Sequence, residues 1–333
     1  MADAEGSPAW EAPARAGAGG GGAGGGAGGA RTWRAQAEEG AWRVLLQGAA
    51  ASAAGEGGGT WAARAYRALA LFKLRRFVEA EQAAQEGSDQ RAPFVLRWLH
   101  AELPAHTGSP ADTRERLYGL LGYCRRRSEE DGAGGEVAVG GGAWERRHDF
   151  VLYSLVRHHH GRGEFLAALQ LLNWLLDSRG RPPAALAMVV RVLLQVGDVR
   201  AAGEALRELE TVSVDNTAAR VEVLRTRALV QFANLQYAEA ASSLDAILEE
   251  RPWDASACNN RAVCQMYSKD IVGAINRLEG SLRQFPHQML REGFVGNLAS
   301  LYELSSADAP ASKRRLAQWA AEFAPDDFDV GKL

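Results

Sequence analysis

The chain has 333 residues, of which 47% are hydrophobic, and its 38 basic and 41 acidic side chains leave a net charge of −3. That length supports one large core or two small ones, and the near-balanced charge speaks against a nucleic-acid-binding protein, which needs a concentrated positive surface. No apolar run reaches the roughly 18–20 residues of a bilayer span, and the N-terminus lacks a cationic start followed by an apolar core. The sequence therefore predicts a cytoplasmic protein without direct membrane insertion.

Residues 1–30 are of low complexity, and Gly17 through Gly29 contains only Gly and Ala. Such a segment buries almost no apolar surface while its glycines lose the most backbone entropy on ordering, so it reads as a disordered tail. It matches GxGxxG by composition alone. With no strand before it, it predicts no phosphate-binding loop. Residues 31–333 have helix-forming composition, with Ala, Leu, Arg and Glu dominant and no convincing alternating strand. A helix near Gly40–Ala53 starts the ordered part. Glycine-rich loops follow at Gly55–Gly59 and at 132–142, around Glu136-Val137-Ala138-Val139.

Between these loops the chain repeats itself. Phe77-Val78-Glu79-Ala80, Phe165-Leu166-Ala167-Ala168 and Tyr237-Ala238-Glu239-Ala240 each begin with an aromatic and place Ala three residues later. Ala168 to Ala202, Ala240 to Ala274 and Pro252 to Pro286 are each 34 residues apart, and Ala80 to Thr113 is 33. A period near 34 residues is that of two short antiparallel helices with their turns. The small residue sits where the second helix crosses the first, and the aromatic or large aliphatic before it fills the gap to the next unit. The proline closes the second helix. The expected fold is all-α, a tetratricopeptide-repeat right-handed superhelix, or α-solenoid. Its repeats fall near 61–92, 94–127, 149–182, 183–216, 221–254 and 255–288, and capping helices occupy 289–333, including an amphipathic helix near Ser312–Phe323.

First helices of such repeats line the concave surface. Their inward slots hold Tyr153, Arg157, Arg191, Arg225, Asn259, Asn260, Met266 and Tyr267, which are the candidate protein-binding groove. Guanidinium groups bind carboxylates through two bonds, so this column suits peptide recognition, and Arg225 with Asn260 matches part of a clamp for a C-terminal carboxylate. No catalytic, cofactor or metal site is expected. His158-His159-His160 point about 100° apart on a helix and do not converge on one ion, so they read as an exposed helix end. Cys124, Cys258 and Cys264 form no CxxC and read as buried thiols of a reducing compartment. Neither GxSxG nor HExxH occurs. Arg125–Arg127 and Lys313–Arg315 read as solvated helix faces or ends.

Four phrases, in order, carry a more specific likeness: Leu99-His100-Ala101-Glu102-Leu103; Leu194-Gln195-Val196-Gly197-Asp198; Asn259-Asn260 with Ala262-Val263-Cys264; and Asn297-Leu298 with Leu301-Tyr302-Glu303-Leu304. With the ending Asp327-Phe328-Asp329, they make residues 60–330 resemble the subunit-12 family of the trafficking protein particle (TRAPP) tethering complex. The resemblance implies a non-catalytic scaffold subunit of a Rab guanine-nucleotide exchange assembly in ER–Golgi and autophagy-related traffic. It implies other TRAPP subunits as partners, a Rab GTPase indirectly, and peripheral association with Golgi membranes. Animal members carry a long N-terminal extension where this chain has its Gly/Ala tail, and the insert at 132–142 is this chain's own. The alternative from the repeats alone is a generic adaptor or co-chaperone holding a peptide tail in its groove.

Overall fold

The computed structural model describes residues 33–37, 40–53, 60–89, 91–132, 142–213, 217–305 and 308–328. The expected disordered tail, the loop at Gly55–Gly59, most of the 132–142 insert and Asp329 lie outside these residues. The fold is all-α and of the tetratricopeptide type, without a strand among the described residues. The helices are α1 (Trp42–Ala53), α2 (Trp61–Lys73), α3 (Phe77–Ala84), α4 (Phe94–Glu102), α5 (Pro104–Thr107), α6 (Pro110–Gly132), α7 (Ala143–Gly161), α8 (Phe165–Arg179), α9 (Pro183–Val196), α10 (Val199–Val212), α11 (Thr217–Ala233), α12 (Tyr237–Glu250), α13 (Ala255–Tyr267), α14 (Ile271–Gln284), α15 (Pro286–Met289), α16 (Glu292–Ser305) and α17 (Ala309–Phe323). They form two compact units, one ending at His158 and the other beginning at His159.

One turn recurs between paired helices, and it explains why the chain reverses where it does. Two residues before α3, α6, α8, α10, α12 and α14 stands a residue in the left-handed conformation: Arg75, Gly108, Gly163, Gly197, Leu235 and Lys269. The amide after it reaches back five residues to a carbonyl of the preceding helix: Arg76 to Leu71 at 2.9 Å, Ser109 to Pro104 at 2.7 Å, Glu164 to His159 at 2.9 Å, Asp198 to Leu193 at 3.0 Å, Gln236 to Gln231 at 2.9 Å and Asp270 to Gln265 at 2.9 Å. This is the Schellman closure, which satisfies carbonyls that a helix end leaves without partners. Glycine fills three of the six positions at no steric cost, whereas Arg75, Leu235 and Lys269 hold a conformation that a Cβ opposes. Several helices then begin on capping carboxylates. Asp198 accepts from the Ala201 amide, Asp254 from Ala257 and Asp270 from Gly273, each at 2.9 Å. Each satisfies an amide that the helix leaves unpaired.

The periodic small residues lie at the helix crossings. Ala80, Thr113, Ala168, Ala202, Ala240 and Ala274 are all fully buried. Around them pack leucines with no more than a trace of exposure, including Leu117, Leu155, Leu172, Leu244 and Leu278. Burying each contributes about 1.5–3 kcal/mol, so the cores between successive helices hold each unit together. In the first unit α4 packs on α6, and α2 on both α1 and α3. In the second, α9 pairs with α10, α11 with α12 and α13 with α14, and α9 also contacts α11, the first helix of the following pair. At the C-terminal end α16 and α17 close a core with Leu278, Leu282, Met289, Phe294, Leu298 and Leu316, against which Trp319, Phe323 and Phe328 pack. The three cysteines are free and buried, and Cys258 Sγ lies 3.0 Å from Ser281 Oγ.

The histidine run differs from an exposed helix end. His159 is buried, its Nδ1 lies 2.6 Å from Glu164 Oε2, and only its neighbours are half-buried. A helix end that closes in a Schellman turn faces its own next helix on one side, and His159 lies on that side. The hydrogen bonds from His159 and then Arg162 hold the Glu164 carboxyl below the usual range.

Candidate protein-binding face of the first helices

The groove residues named above fall on α7, α9, α11 and α13, and most of their polar groups have partners on a neighbouring first helix. In the first unit, Arg157 Nη2 on α7 donates to Glu102 Oε1 at the end of α4 at 2.6 Å. The Glu102 carboxylate is buried, whereas the arginine remains 64% exposed. Tyr153 lies half-buried on the same helix, and burial, with Asp149 nearby, pushes its hydroxyl up to about 12.

In the second unit the pairs form a chain. Arg191 on α9 donates to Glu222 on α11. The other oxygen of Glu222 lies 3.7 Å from Arg225 Nη1, one turn along α11. Arg225 Nη2 in turn donates to Asp254 Oδ2, at the cap of α13, at 2.6 Å. Further along, Asn259 on α13 accepts at Oδ1 from Asn297 Nδ2 on α16 at 2.9 Å, and its own Nδ2 donates to Asn260 Oδ1 at 3.3 Å. Arg191, Arg225 and Asn259 are thus each held by a side chain further along the stack. Arg191, Glu222 and Arg225 are about a quarter exposed, and Asn259 is buried.

The last two candidates separate. Met266 packs into the core shared by α13, α14 and the C-terminal helices. Tyr267 is half exposed and stacks on Tyr237 with ring centroids 5.3 Å apart, while Phe232 meets both rings edge-on at 5.2 and 5.1 Å. The structure therefore brings Arg191 and Arg225 into one ionic chain and joins Asn259 to Asn260. It packs Met266, partly buried, against the C-terminal core and sets Tyr267 in an aromatic cluster at the turn end. The acidic partners Glu102, Glu222 and Asp254 were missed by sequence reasoning. The offsets Arg191–Glu222 and Arg225–Asp254, 31 and 29 residues, lie a few residues short of the repeat period, and that near-match was the signal available. No group of three or more His, Cys, Asp or Glu side chains suited to a metal occurs among the described residues, and no helix of the described residues is long and apolar enough to cross a membrane.

No protein-family model matches the chain. Among solved structures, a tetratricopeptide repeat protein from Parabacteroides merdae aligns over 79% of this chain and 93% of its own, at 14% identity and a TM-score of 0.48. The C-terminal part of a TPR repeat-containing protein from Cytophaga hutchinsonii aligns over 85% of this chain and 98% of its own, at 9% identity and a TM-score of 0.44. Trafficking protein particle complex subunit 12 of Mus musculus is 29% identical over 253 residues, covering 72% of this chain and 32% of the mouse protein. The Homo sapiens protein of that name is 27% identical over 253 residues, covering 72% and 34%. The chain spans about a third of the length of the curated relatives it matches. In sequence, over most of its length, the chain is similar to subunit 12 of the trafficking protein particle complex.

Proposed function

We infer that this protein is a non-catalytic scaffold subunit of a TRAPP-type vesicle-tethering complex, and that it works through protein–protein contacts alone. The observation that carries this reading is the likeness to subunit 12 across 253 residues of helical repeat. Its partners are other TRAPP subunits and, through them, a Rab GTPase whose nucleotide exchange the whole assembly promotes in ER–Golgi and autophagy-related traffic. It reaches Golgi membranes peripherally, through those partners.

The contact residues proposed on this chain are Tyr153 and Arg157 on the first unit and, separately, Arg191, Arg225, Asn259, Asn260, Met266 and Tyr267 on the second. A partner on either unit meets charges that are already paired, so docking exchanges existing ion pairs and adds contact area around exposed Arg157 on the first or Tyr267 on the second. The same pairing weighs against the alternative of an adaptor clamping a free C-terminal carboxylate. Arg225 is bound to Asp254, and Asn260 is bound to Asn259. The test is affinity purification of the full chain at native abundance. Recovery with several TRAPP subunits in fixed proportion is expected. Recovery with a chaperone alone, lost in Arg225→Ala, would establish the adaptor reading instead.

A further inference from the structure

A second cluster, on the first unit, is built from arginines and aromatic rings. Arg147 on α7 lies with its guanidinium carbon 4.4 Å from the Trp144 ring centroid and 5.6 Å from that of Phe94 on α4. Arg127 on α6 approaches the same indole at 5.4 Å. Tyr123 meets Trp144 edge-on at 5.5 Å, and Arg97 lies 4.3 Å over the Tyr123 ring. Three helices thus contribute alternating cations and rings to one patch, and every member is half-buried.

The charges of this patch are unequally satisfied. Arg127 pairs with Glu130 at 2.9 Å, one turn along its own helix. Arg97 donates only to backbone, to Ala92 O at 3.0 Å and Asp89 O at 2.7 Å. Arg147 has no hydrogen bond and no carboxylate partner among the described residues, and the rings alone hold it. Burial pushes the nearby Cys124 thiol up to about 12, against the lowering pull of Arg147 and Arg97. A guanidinium fixed between ring faces has lost its conformational freedom before any ligand arrives. Its five N–H groups remain in a planar fork that matches a carboxylate.

We propose that the Phe94–Arg97–Tyr123–Trp144–Arg147 patch docks an acidic peptide segment of a partner protein, with Arg147 receiving a carboxylate through paired hydrogen bonds. Carboxylate fits better than a phosphate backbone. A carboxylate matches one planar guanidinium through two parallel hydrogen bonds, whereas a phosphate backbone needs a concentrated positive surface that the near-balanced charge of this chain does not supply.

The test uses fluorescence anisotropy on the full chain with a labelled ten-residue peptide of alternating Glu and Ser, and its Gln-for-Glu counterpart. Saturable binding of the Glu peptide, absent with the Gln peptide, is expected. Arg147→Gln should weaken it about 10- to 100-fold, the range for a charge-assisted hydrogen bond. Arg147→Lys should restore only part of the loss, because an ammonium has neither the fork nor the ring-stacking plane. Since Arg147 bonds to nothing else, its replacement should leave the far-UV circular dichroism spectrum intact. Trp144→Leu, which removes the ring but no charge, gives a second reading if that spectrum changes. Absence of saturable binding, or equal affinity in wild type and Arg147→Gln, would overturn the proposal. So would Arg147-dependent binding of a single-stranded oligonucleotide or of anionic phosphatidylserine vesicles in preference to the peptide.

Discussion

Arg225 and Asp254 meet at 2.6 Å, and the second oxygen of the same aspartate accepts the Ala257 amide at the start of α13. One carboxylate therefore both caps a helix and ties that helix to the preceding first helix. Asp254→Ala should remove the cap, at about 1 kcal/mol, and leave the largely buried Arg225 only its longer contact to Glu222, at about 1–3 kcal/mol more. Arg225→Met leaves the cap intact and replaces the guanidinium by an apolar chain of similar length, so it should cost less. Denaturant titration of the two single variants and the double variant checks this. A coupling energy near zero between them would contradict the pairing.

The six closures between paired helices make a prediction of opposite signs at equivalent positions. Gly197 and Lys269 both hold positive φ, at 90° and 69°. Gly197→Ala should destabilise by about 1 kcal/mol or more, because Ala opposes that conformation. Lys269→Gly relieves the same strain, offset by extra entropy in the unfolded chain, and should be neutral or stabilising. Thermal melting of both variants decides the matter.

The helix crossings give a third. Ala240 and Ala274 have no exposed surface, so Ala240→Trp should overpack the crossing and cost at least about 1–3 kcal/mol. A wild-type melting curve would contradict the placement of Ala240 at the crossing.

The crossings were legible in sequence because steric exclusion there leaves so few residue types that the 34-residue spacing shows through. The turns were half legible. Gly108, Gly163 and Gly197 announce a left-handed residue, but Arg75, Leu235 and Lys269 carry no such mark, and only the imposed hairpin geometry puts them there. The candidate residues were readable as slots of the repeat, but their partners were not. A guanidinium at a first-helix slot looks the same in sequence whether it faces solvent or a carboxylate some thirty residues away. Met266 keeps part of its surface exposed while packing against the adjoining C-terminal core, a contact that slot spacing does not announce. The Arg147 patch had no sequence signature, since its rings come from three separate helices.

Stability should also depend on mild acid. Burial holds both His100 and His106 below the ordinary imidazole value, and His106 stacks on Phe77 at 4.6 Å. The folded state therefore prefers the neutral rings. Their contribution is fully present above about pH 6.5, the unfolded value, and is lost as pH falls through the lower folded values. The melting temperature should decline between pH 7 and 5, and His106→Phe, which keeps the ring contacts without a proton, should flatten that decline. Equal slopes for the variant and wild type would exclude His106 as a source.

The central claim, a scaffold subunit of a TRAPP-type assembly, is tested most directly by cross-linking mass spectrometry on the complex purified through this chain. Cross-links from its helical repeats to other TRAPP subunits are expected, weakened when Arg157→Glu and Tyr267→Glu are introduced together. A chain that elutes alone, or whose cross-links reach no TRAPP subunit, would contradict it.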